Sequence, residues 1–163
     1  MNISFRKKGI SAVVATVLII LITVAAVTII WAAIIPMINN QISGSTTCLN
    51  AVSQVGLVTD KGYTCYDEDN DIISLQVSHG AEDFALADLQ VLVSAGGDTT
   101  SFKKEDFTSG FNTLPGVNEE KVIKINVSSM TGTPDSVSIA PVVSVGNTEE
   151  PCDVSATAVL SAC

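Results

Sequence analysis

The amino-acid sequence predicts an α+β protein in which a long hydrophobic N-terminal α-helix precedes a small all-β head, an immunoglobulin-like β-sandwich. The first observation is an uneven distribution of charge. No Asp, Glu, Lys, Arg or His occurs between Lys8 and Asp60, and all 17 acidic residues lie from Asp60 onward. The second is a change of period, because the later part of the chain alternates apolar and polar residues in short runs, as half-buried strands do. Two physically different segments therefore share one chain of 163 residues.

The helix is predicted over residues 10–42. Its apolar stretch, residues 10–37, exceeds the roughly 20 residues that cross a bilayer. Arg6, Lys7 and Lys8 stand just before that stretch, so the positive-inside rule places the N-terminus in the cytoplasm and the head outside. The helix is apolar on every side and would extend roughly 50 Å, against a hydrocarbon core of about 30 Å. The surplus length favours burial against other helices.

Small residues in this helix recur four positions apart, a spacing that lets helix backbones approach closely. The pairs are Ser11 with Ala15, Ala12 with Thr16, and Thr28 with Ala32. A lipid anchor containing Ala and Thr shows such pairs by chance, so both interpretations stay open. Trp31, the single tryptophan, fits either a membrane interface or helix packing. Pro36 removes a backbone donor, which predicts a kink or local break.

The residues before the helix carry an unusual arrangement of charge. A secretory signal peptide has its cleavage site after a short apolar region, whereas here Lys7, Lys8 and Gly9 precede an apolar run too long for such a region. Cleavage after Gly9 would remove the basic residues and leave the whole helix on the mature protein. A subunit that must later leave the bilayer gains from this, because each charge crosses hydrocarbon at a cost of roughly 3 kcal/mol.

Arg6-Lys7-Lys8-Gly9 followed by residues 10–18 resembles the class III signal of archaeal type IV pilins and archaellins. The resemblance implies that residues 1–9 are removed between Gly9 and Ile10 by a membrane prepilin peptidase, after which the helix assembles into a filament core. Ala12 stands where many members of the family carry proline. Val14 stands where bacterial pilins carry glutamate, and this second difference favours an archaeal origin. The implied assembly residues are Ile10, Ser11, Ala12, Val13, Val14, Ala15, Thr16, Leu18, Thr28, Trp31, Ala32 and Pro36.

Residues 43–50 are rich in Ser, Gly and Thr and are predicted to form a linker, with the helix ending between Met37 and Ser43. The head, residues 51–163, is predicted to hold roughly six or seven short strands. The strand-like runs are 51–58, 72–79, 86–95, 121–127, 136–145 and 154–160. Pro141 lies inside one run, so that strand is expected at a sheet edge or bulged there.

Residues 73–80 and 84–91 also resemble the strand, turn and strand that opens archaeal pilin and archaellin heads. This second match extends the resemblance to roughly residue 95. The remainder of the head is interpreted from its pattern alone.

All four cysteines follow the apolar stretch, on the side where an oxidising compartment lets disulfides persist. Two disulfides are therefore expected, with free buried thiols as the alternative. Four cysteines allow three pairings, and we favour Cys48 with Cys65 and Cys152 with Cys163, because each pair closes a short loop. A zinc site is disfavoured, because neither a Cys-x-x-Cys spacing nor a second histidine occurs.

Charge excludes one class of partner. Removal of residues 1–9 leaves five of the eight basic residues against 17 acidic ones, a side-chain charge of −12. Such a head repels nucleic-acid phosphates and anionic membrane surfaces. Nucleic acid is therefore not expected as a partner.

Asp67, Asp69 and Asp71 occupy alternate positions of a calcium loop, but Ile72 stands where the turn glycine belongs. A solvated turn is expected, with a weak calcium site as the alternative. The single histidine, His79, has no nucleophile motif beside it and is expected at the surface or a strand edge.

Asn126-Val127-Ser128 fits the N-glycosylation acceptor pattern in an extracellular context. Filament heads of the resembled family are often glycosylated, which makes Asn126 a possible modification site. No enzymatic activity, cofactor or metal is predicted, because no nucleophile motif or phosphate-binding glycine loop occurs.

The expected function is that of a structural subunit of a type IV pilus-like surface filament, used in adhesion. The expected partners are copies of the chain, the prepilin peptidase and assembly machinery, and the membrane before assembly. An archaellin, the subunit of a motility filament, shares this architecture. A low-abundance pseudopilin and a monomeric, membrane-anchored extracellular binding module are further alternatives.

Overall fold

The computed structural model describes residues 12–163 and has the predicted α+β architecture. The chain divides into two compact units at the boundary between Gln41 and Ile42. The described residues of the first unit, 12–41, are helical. The second unit, residues 42–163, contains the last turns of that helix and a β-rich head with two sheets.

Helix α1 spans Ala12–Gln54, which is longer than predicted. Residues 43–50 are helical, so the predicted linker is wrong. Their polar side chains bond within the helix, as Thr46 Oγ1 donates to the Ile42 carbonyl at 2.9 Å and Thr47 Oγ1 to the Ser43 carbonyl at 2.8 Å. Ala51 is fully buried, which adds a packing reason for the extra turns. Pro36 lies inside the helix and does not end it.

Nine strands follow the helix. They are β1 Val55–Leu57, β2 Cys65–Asp67, β3 Ile72–His79, β4 Leu86–Ala95, β5 Asp98–Phe102, β6 Glu120–Asn126, β7 Pro134–Val145, β8 Thr148–Pro151 and β9 Ala156–Val159. All six predicted runs contain a strand, and the bounds of β3 and β4 match the prediction. The first run is the poorest, because its residues 51–54 are helical. The prediction missed β2, β5 and β8, which are short or have no buried alternation.

Each sheet contains one long strand, β3 in the first sheet and β7 in the second. Two short strands pair with different parts of the same edge of that long strand. In the first sheet, β3 pairs with β6 along one edge, and β1 and β2 divide the other. In the second sheet the order is β5-β4-β7, and β8 and β9 divide the far edge of β7. All these pairs are antiparallel. The consecutive strands β3 and β4 belong to different sheets, so their connection crosses the sandwich.

The hydrophobic core lies between the two sheets. Its fully buried side chains alternate along the strands, as Ile73, Leu75 and Val77 do in β3, and Leu89, Val91 and Val93 do in β4. Alternation of this kind places every second residue on one face of the sheet. The head is therefore a two-layer unit with a core of its own.

The C-terminus closes one side of the sandwich. Tyr66 of β2 donates its N–H to the Ser161 carbonyl at 2.8 Å, and Cys163 donates its N–H to the Tyr66 carbonyl at 3.0 Å. These bonds form a parallel bridge between Tyr66 and Ala162. The last residues thereby connect the end of the second sheet with the first sheet.

Disulfides join Cys48 to Cys152 and Cys65 to Cys163, so the predicted local pairing is wrong. The bonds close long segments, with sequence separations of 104 and 98. Strand pairing explains the second bond, because the C-terminal segment lies along β2 and brings Cys163 to Cys65. Loop length alone did not contain that information.

Pro141 lies in β7, which is a central strand, so the predicted edge position is wrong. The carbonyl of Pro141 accepts the Cys152 N–H at 2.9 Å, on the side of β7 where β8 and β9 leave a gap between them. Because the N and the carbonyl of one antiparallel residue face the same side, the missing N–H faces that gap. The ladder loses no bond there. A bulge lies in β4, between Leu86 and Asp88.

Candidate functional site

The N-terminal unit presents an exposed apolar surface. Large apolar side chains between Val13 and Ile38 are exposed, from 41% for Ile35 to 70% for Val13. The helix is long and apolar enough to cross a membrane. A helix that is hydrophobic on all sides is stable only when lipid or other helices cover it.

The threonines of this unit do not require a partner. Thr16 Oγ1 donates to the Val13 carbonyl, Thr23 Oγ1 to the Ile20 carbonyl and Thr28 Oγ1 to the Ala25 carbonyl, each at 2.9 Å. A hydroxyl that bonds its own helix brings no unsatisfied donor into an apolar environment. The helix surface is therefore compatible with lipid and with tight packing against similar helices.

The processing residues Lys7, Lys8, Gly9 and Ile10, together with Ser11, lie outside the described residues. The other predicted assembly residues lie in the described helix. They are Ala12, Val13, Val14, Ala15, Thr16, Leu18, Thr28, Trp31, Ala32 and Pro36. The pairs Ala12 with Thr16 and Thr28 with Ala32 thus share a helix face, as four-residue spacing requires.

The last turns of α1 have two different faces. Gly44 and Ala51 are buried on the side of the head, and Cys48 between them is bonded to Cys152. Ile42 and Leu49, seven residues apart, are 58% and 71% exposed. An open cavity of about 390 Å³ lies between residues 44–52 and 150–153. The sequence analysis did not identify the exposed surface of Ile42 and Leu49, because residues 43–50 were predicted to form a linker. The seven-residue spacing of Ile42 and Leu49 is nevertheless visible in the sequence.

Acidic side chains dominate the head, and two of them form ion pairs with residues that the structure describes. Lys61 Nζ lies 2.6 Å from Glu120 Oε2, and Lys121 Nζ lies 3.2 Å from Glu119 Oε2. The hydrogen bond from Lys61 lowers the pKa of Glu120, and the backbone N–H of Gly116 lowers the pKa of Glu119. Gln76 Nε2 also donates to Glu120 at 2.6 Å.

Two of the three aspartates of the weak calcium candidate, Asp67 and Asp71, accept hydrogen bonds from neighbouring residues with their carboxylates. Asp67 Oδ1 accepts the backbone N–H groups of Asp69 and Asn70, and Asp71 Oδ1 accepts the hydroxyl of Tyr66 at 2.9 Å. The side chain of Asn70 lowers the pKa of Asp67. Within residues 12–163, no three His, Cys, Asp or Glu side chains form a group that could hold a metal ion.

Asn126 is exposed at the end of β6, so its side chain does not point into the core. Its Oδ1 accepts the Ser128 N–H at 3.0 Å and the Ser128 hydroxyl at 2.6 Å. The acceptor tripeptide is therefore accessible, and its modification stays a prediction.

His79 is buried, so its predicted surface position is wrong. Its Nδ1 lies 3.2 Å from the Pro115 carbonyl, and its ring packs against Phe84 with centroids 4.5 Å apart. The side chain belongs to the core face of β3, where the alternation of the strand places it.

The geometry brings together an uncovered apolar helix and a head whose disulfides indicate an oxidising, extracytoplasmic compartment. Comparisons with protein-family models, with curated proteins and with solved structures give no match.

Proposed function

We propose that this chain is a structural subunit of a type IV pilus-like surface filament of the archaeal kind. The subunit is cleaved after Gly9, is held in the membrane by its helix, and then polymerises with helices inside and heads outside. Its role is adhesion or attachment. The partners are copies of the chain, the prepilin peptidase and the assembly machinery.

One observation carries the proposal: the helix between Val13 and Ile38 has exposed apolar side chains on all sides, and no charged residue interrupts it. Lipid satisfies this surface before assembly, and helices of other copies satisfy it afterwards. The resemblance of Arg6-Lys7-Lys8-Gly9 and the following residues to a class III signal supports removal of the basic residues. Their charges would oppose transfer of the helix from the membrane into a filament.

The head supports the same function by being self-contained. Its core and its two disulfides lie within residues 42–163, so folding of the head does not depend on what covers residues 12–41. A filament displays such units on its surface. The exposed pair Ile42 and Leu49 offers a second apolar contact near the base of each head.

The deciding experiment is electron microscopy of filaments sheared from cells that produce the protein, followed by peptide mapping of the dominant subunit. We expect filaments built mainly of this chain, with Ile10 as the N-terminal residue by intact mass. Production of the chain without filaments would contradict the proposal. A substitution of Gly9 that blocks processing should abolish the filaments while the head still folds.

A monomeric membrane-anchored binding module is the second candidate, because self-bonded threonines also suit a permanent lipid anchor. In that case the mature protein keeps Met1 and stays dispersed in detergent. An archaellin would form filaments with the same processing site. A swimming assay on cells lacking the chain separates it from a pilin.

A further inference from the structure

The apolar part of α1 is longer than the hydrocarbon that it crosses. From Ala12 to Ile38 it extends about 39 Å at 1.5 Å per residue, whereas the hydrocarbon core is about 30 Å thick. Tilting alone would require an angle of about 40°, the upper end of the range for transmembrane helices. Hydrophobicity alone therefore leaves the depth of the helix open by about 9 Å, and a side chain that prefers the membrane interface would fix it.

Trp31 lies where such a side chain is needed. The rise from Ala12, the first described residue of the helix, to Trp31 is about 29 Å, close to one hydrocarbon thickness, and the basic residues Arg6, Lys7 and Lys8 precede the apolar run, which begins at Ile10. The indole is 63% exposed. It is the only tryptophan of the chain.

The polar atom of the indole distinguishes Trp31 from its neighbours. Trp31 makes no hydrogen bond within residues 12–163, whereas Thr16, Thr23 and Thr28 all bond their own helix. An N–H without an acceptor is costly in hydrocarbon, but ester carbonyls and phosphate oxygens accept it at the membrane interface. The ring is large and apolar, so the same position also buries its carbon atoms.

We propose that Trp31 binds the ester and headgroup layer of the leaflet facing the head and thereby fixes the depth of the membrane-inserted chain. Hydrocarbon then covers the apolar run as far as Trp31. The apolar residues 32–38 pass through the headgroup layer, where lipid covers Ile34, Ile35 and Ile38 less completely. This segment gains most from contact with another copy. The binding itself does not depend on filament formation, and it applies equally to a monomeric anchor.

The test uses the intrinsic fluorescence of the full-length protein in vesicles. Bromine quenches tryptophan on contact, and lipids are available with bromine near the carbonyl, in the middle or near the end of the acyl chain. We expect the strongest quenching of Trp31 from bromine near the carbonyl. Strongest quenching from bromine near the chain end would overturn the proposal.

A matched variant checks that the measurement resolves depth. Val24→Trp combined with Trp31→Phe moves the indole by seven residues, about 10 Å, on the same helix face. We expect this indole to be quenched most from the chain end. If both proteins show the shallow profile, the helix lies along the membrane surface and the proposal is wrong.

Filament formation is examined separately, by electron microscopy, so that the depth of Trp31 and the proposed pilin function are tested independently. A shallow Trp31 without any filaments would support the membrane interface and reject the pilin. Filaments combined with a deep Trp31 would support the pilin and reject the interface.

Discussion

The N-terminal helix and the head differ in where their apolar side chains lie. Large apolar residues of the helix are at least 41% exposed between Val13 and Ile38, whereas Leu75, Leu89 and Ile139 of the head are fully buried. The helix carries no charge, and the head carries all 17 acidic residues. The head therefore supplies its own stability, and the helix obtains its stability from lipid or from other chains. Substitutions in the head should therefore change the stability of the head, and substitutions in the helix should change membrane insertion and assembly.

The largest effect is expected from loss of the C-terminal disulfide. Replacing Cys65 and Cys163 by Ala opens a loop that spans on the order of 30 residues, because Cys48–Cys152 already shortens the path between the two positions, and such a loop corresponds to about 3.6 kcal/mol in the chain-entropy treatment. The free energy of unfolding of the head, measured by denaturant titration in detergent, should fall by that order. Membrane insertion of the helix should not change. A loss of insertion together with head stability would show that the two regions are coupled.

A pair of leucine truncations should separate folding from assembly. Leu75→Ala removes a fully buried side chain in β3 and should destabilise the head by about 2–5 kcal/mol. Leu49→Ala removes a side chain that is 71% exposed, so head stability should change little. Filament yield, if Leu49 lies at a contact between copies, should fall in the second variant. Equal destabilisation of the head by both truncations would contradict the assignment of Leu75 to folding and of Leu49 to assembly.

A charge in the helix should leave the head intact. Ile22, 66% exposed, lies in the middle of the apolar run, and Ile22→Lys should cost about 2.5–3.5 kcal/mol on insertion scales. The fraction of protein inserted in membranes and the yield of filaments should both fall. Ile22→Leu is the conservative control, and Val159→Lys places the same charge on an exposed position of β9. An unchanged filament yield for Ile22→Lys would contradict burial of this helix.

The smallest effect is expected from pH. The pKa values of Asp67, Glu119 and Glu120 are lowered in the folded head, so the stabilisation by these groups is present above their ordinary values of 3.8 and 4.5 and is lost as pH falls below them. Thermal unfolding of the full chain in detergent should therefore show a modest decrease in acid. Because Glu119 and Glu120 are exposed and Asp67 is half-buried at the end of β2, solvent screens the effect.

Glu120→Gln should make this acid loss smaller, because it removes the carboxylate that Lys61 binds. The matched control is Glu68→Gln, which removes the same charge from an exposed residue without an ion pair in the described chain. Equal changes in the two variants would indicate that net charge, and not the ion pair, determines the response.

The sequence predicted the features that depend on local pattern. Alternation located β3 and β4 to the residue, because their buried faces give a clear two-residue period. The apolar helix was also predictable from local pattern, because its residues form a long run without a charged side chain. Strands β5 and β8 were missed because their residues are almost all exposed and present no periodic face.

Features that depend on distant contacts were not predictable from pattern. Residues 43–50 look like a linker, yet burial of Ala51 and the bond between Cys48 and Cys152 fix them as helix against the head. The disulfide pairing follows from the C-terminal segment lying beside β2, which no loop-length argument contains. Trp31 could be identified from its position, but the structure was needed to show that its indole N–H makes no hydrogen bond to residues 12–163.

The bond between Cys48 and Cys152 also determines how the molecule would respond to a pull on its helix. Tension between the helix and the residues after Cys152 passes across the sulfur atoms and bypasses the polypeptide between them. Without that bond the shortest covalent path from Cys48 to Cys152 would run through the Cys65–Cys163 disulfide and would release roughly 95 Å of extended chain if the sandwich opened. With the bond intact, stretching recruits almost none of this hidden length, so the subunit behaves as a short tether and not as an unravelling spring.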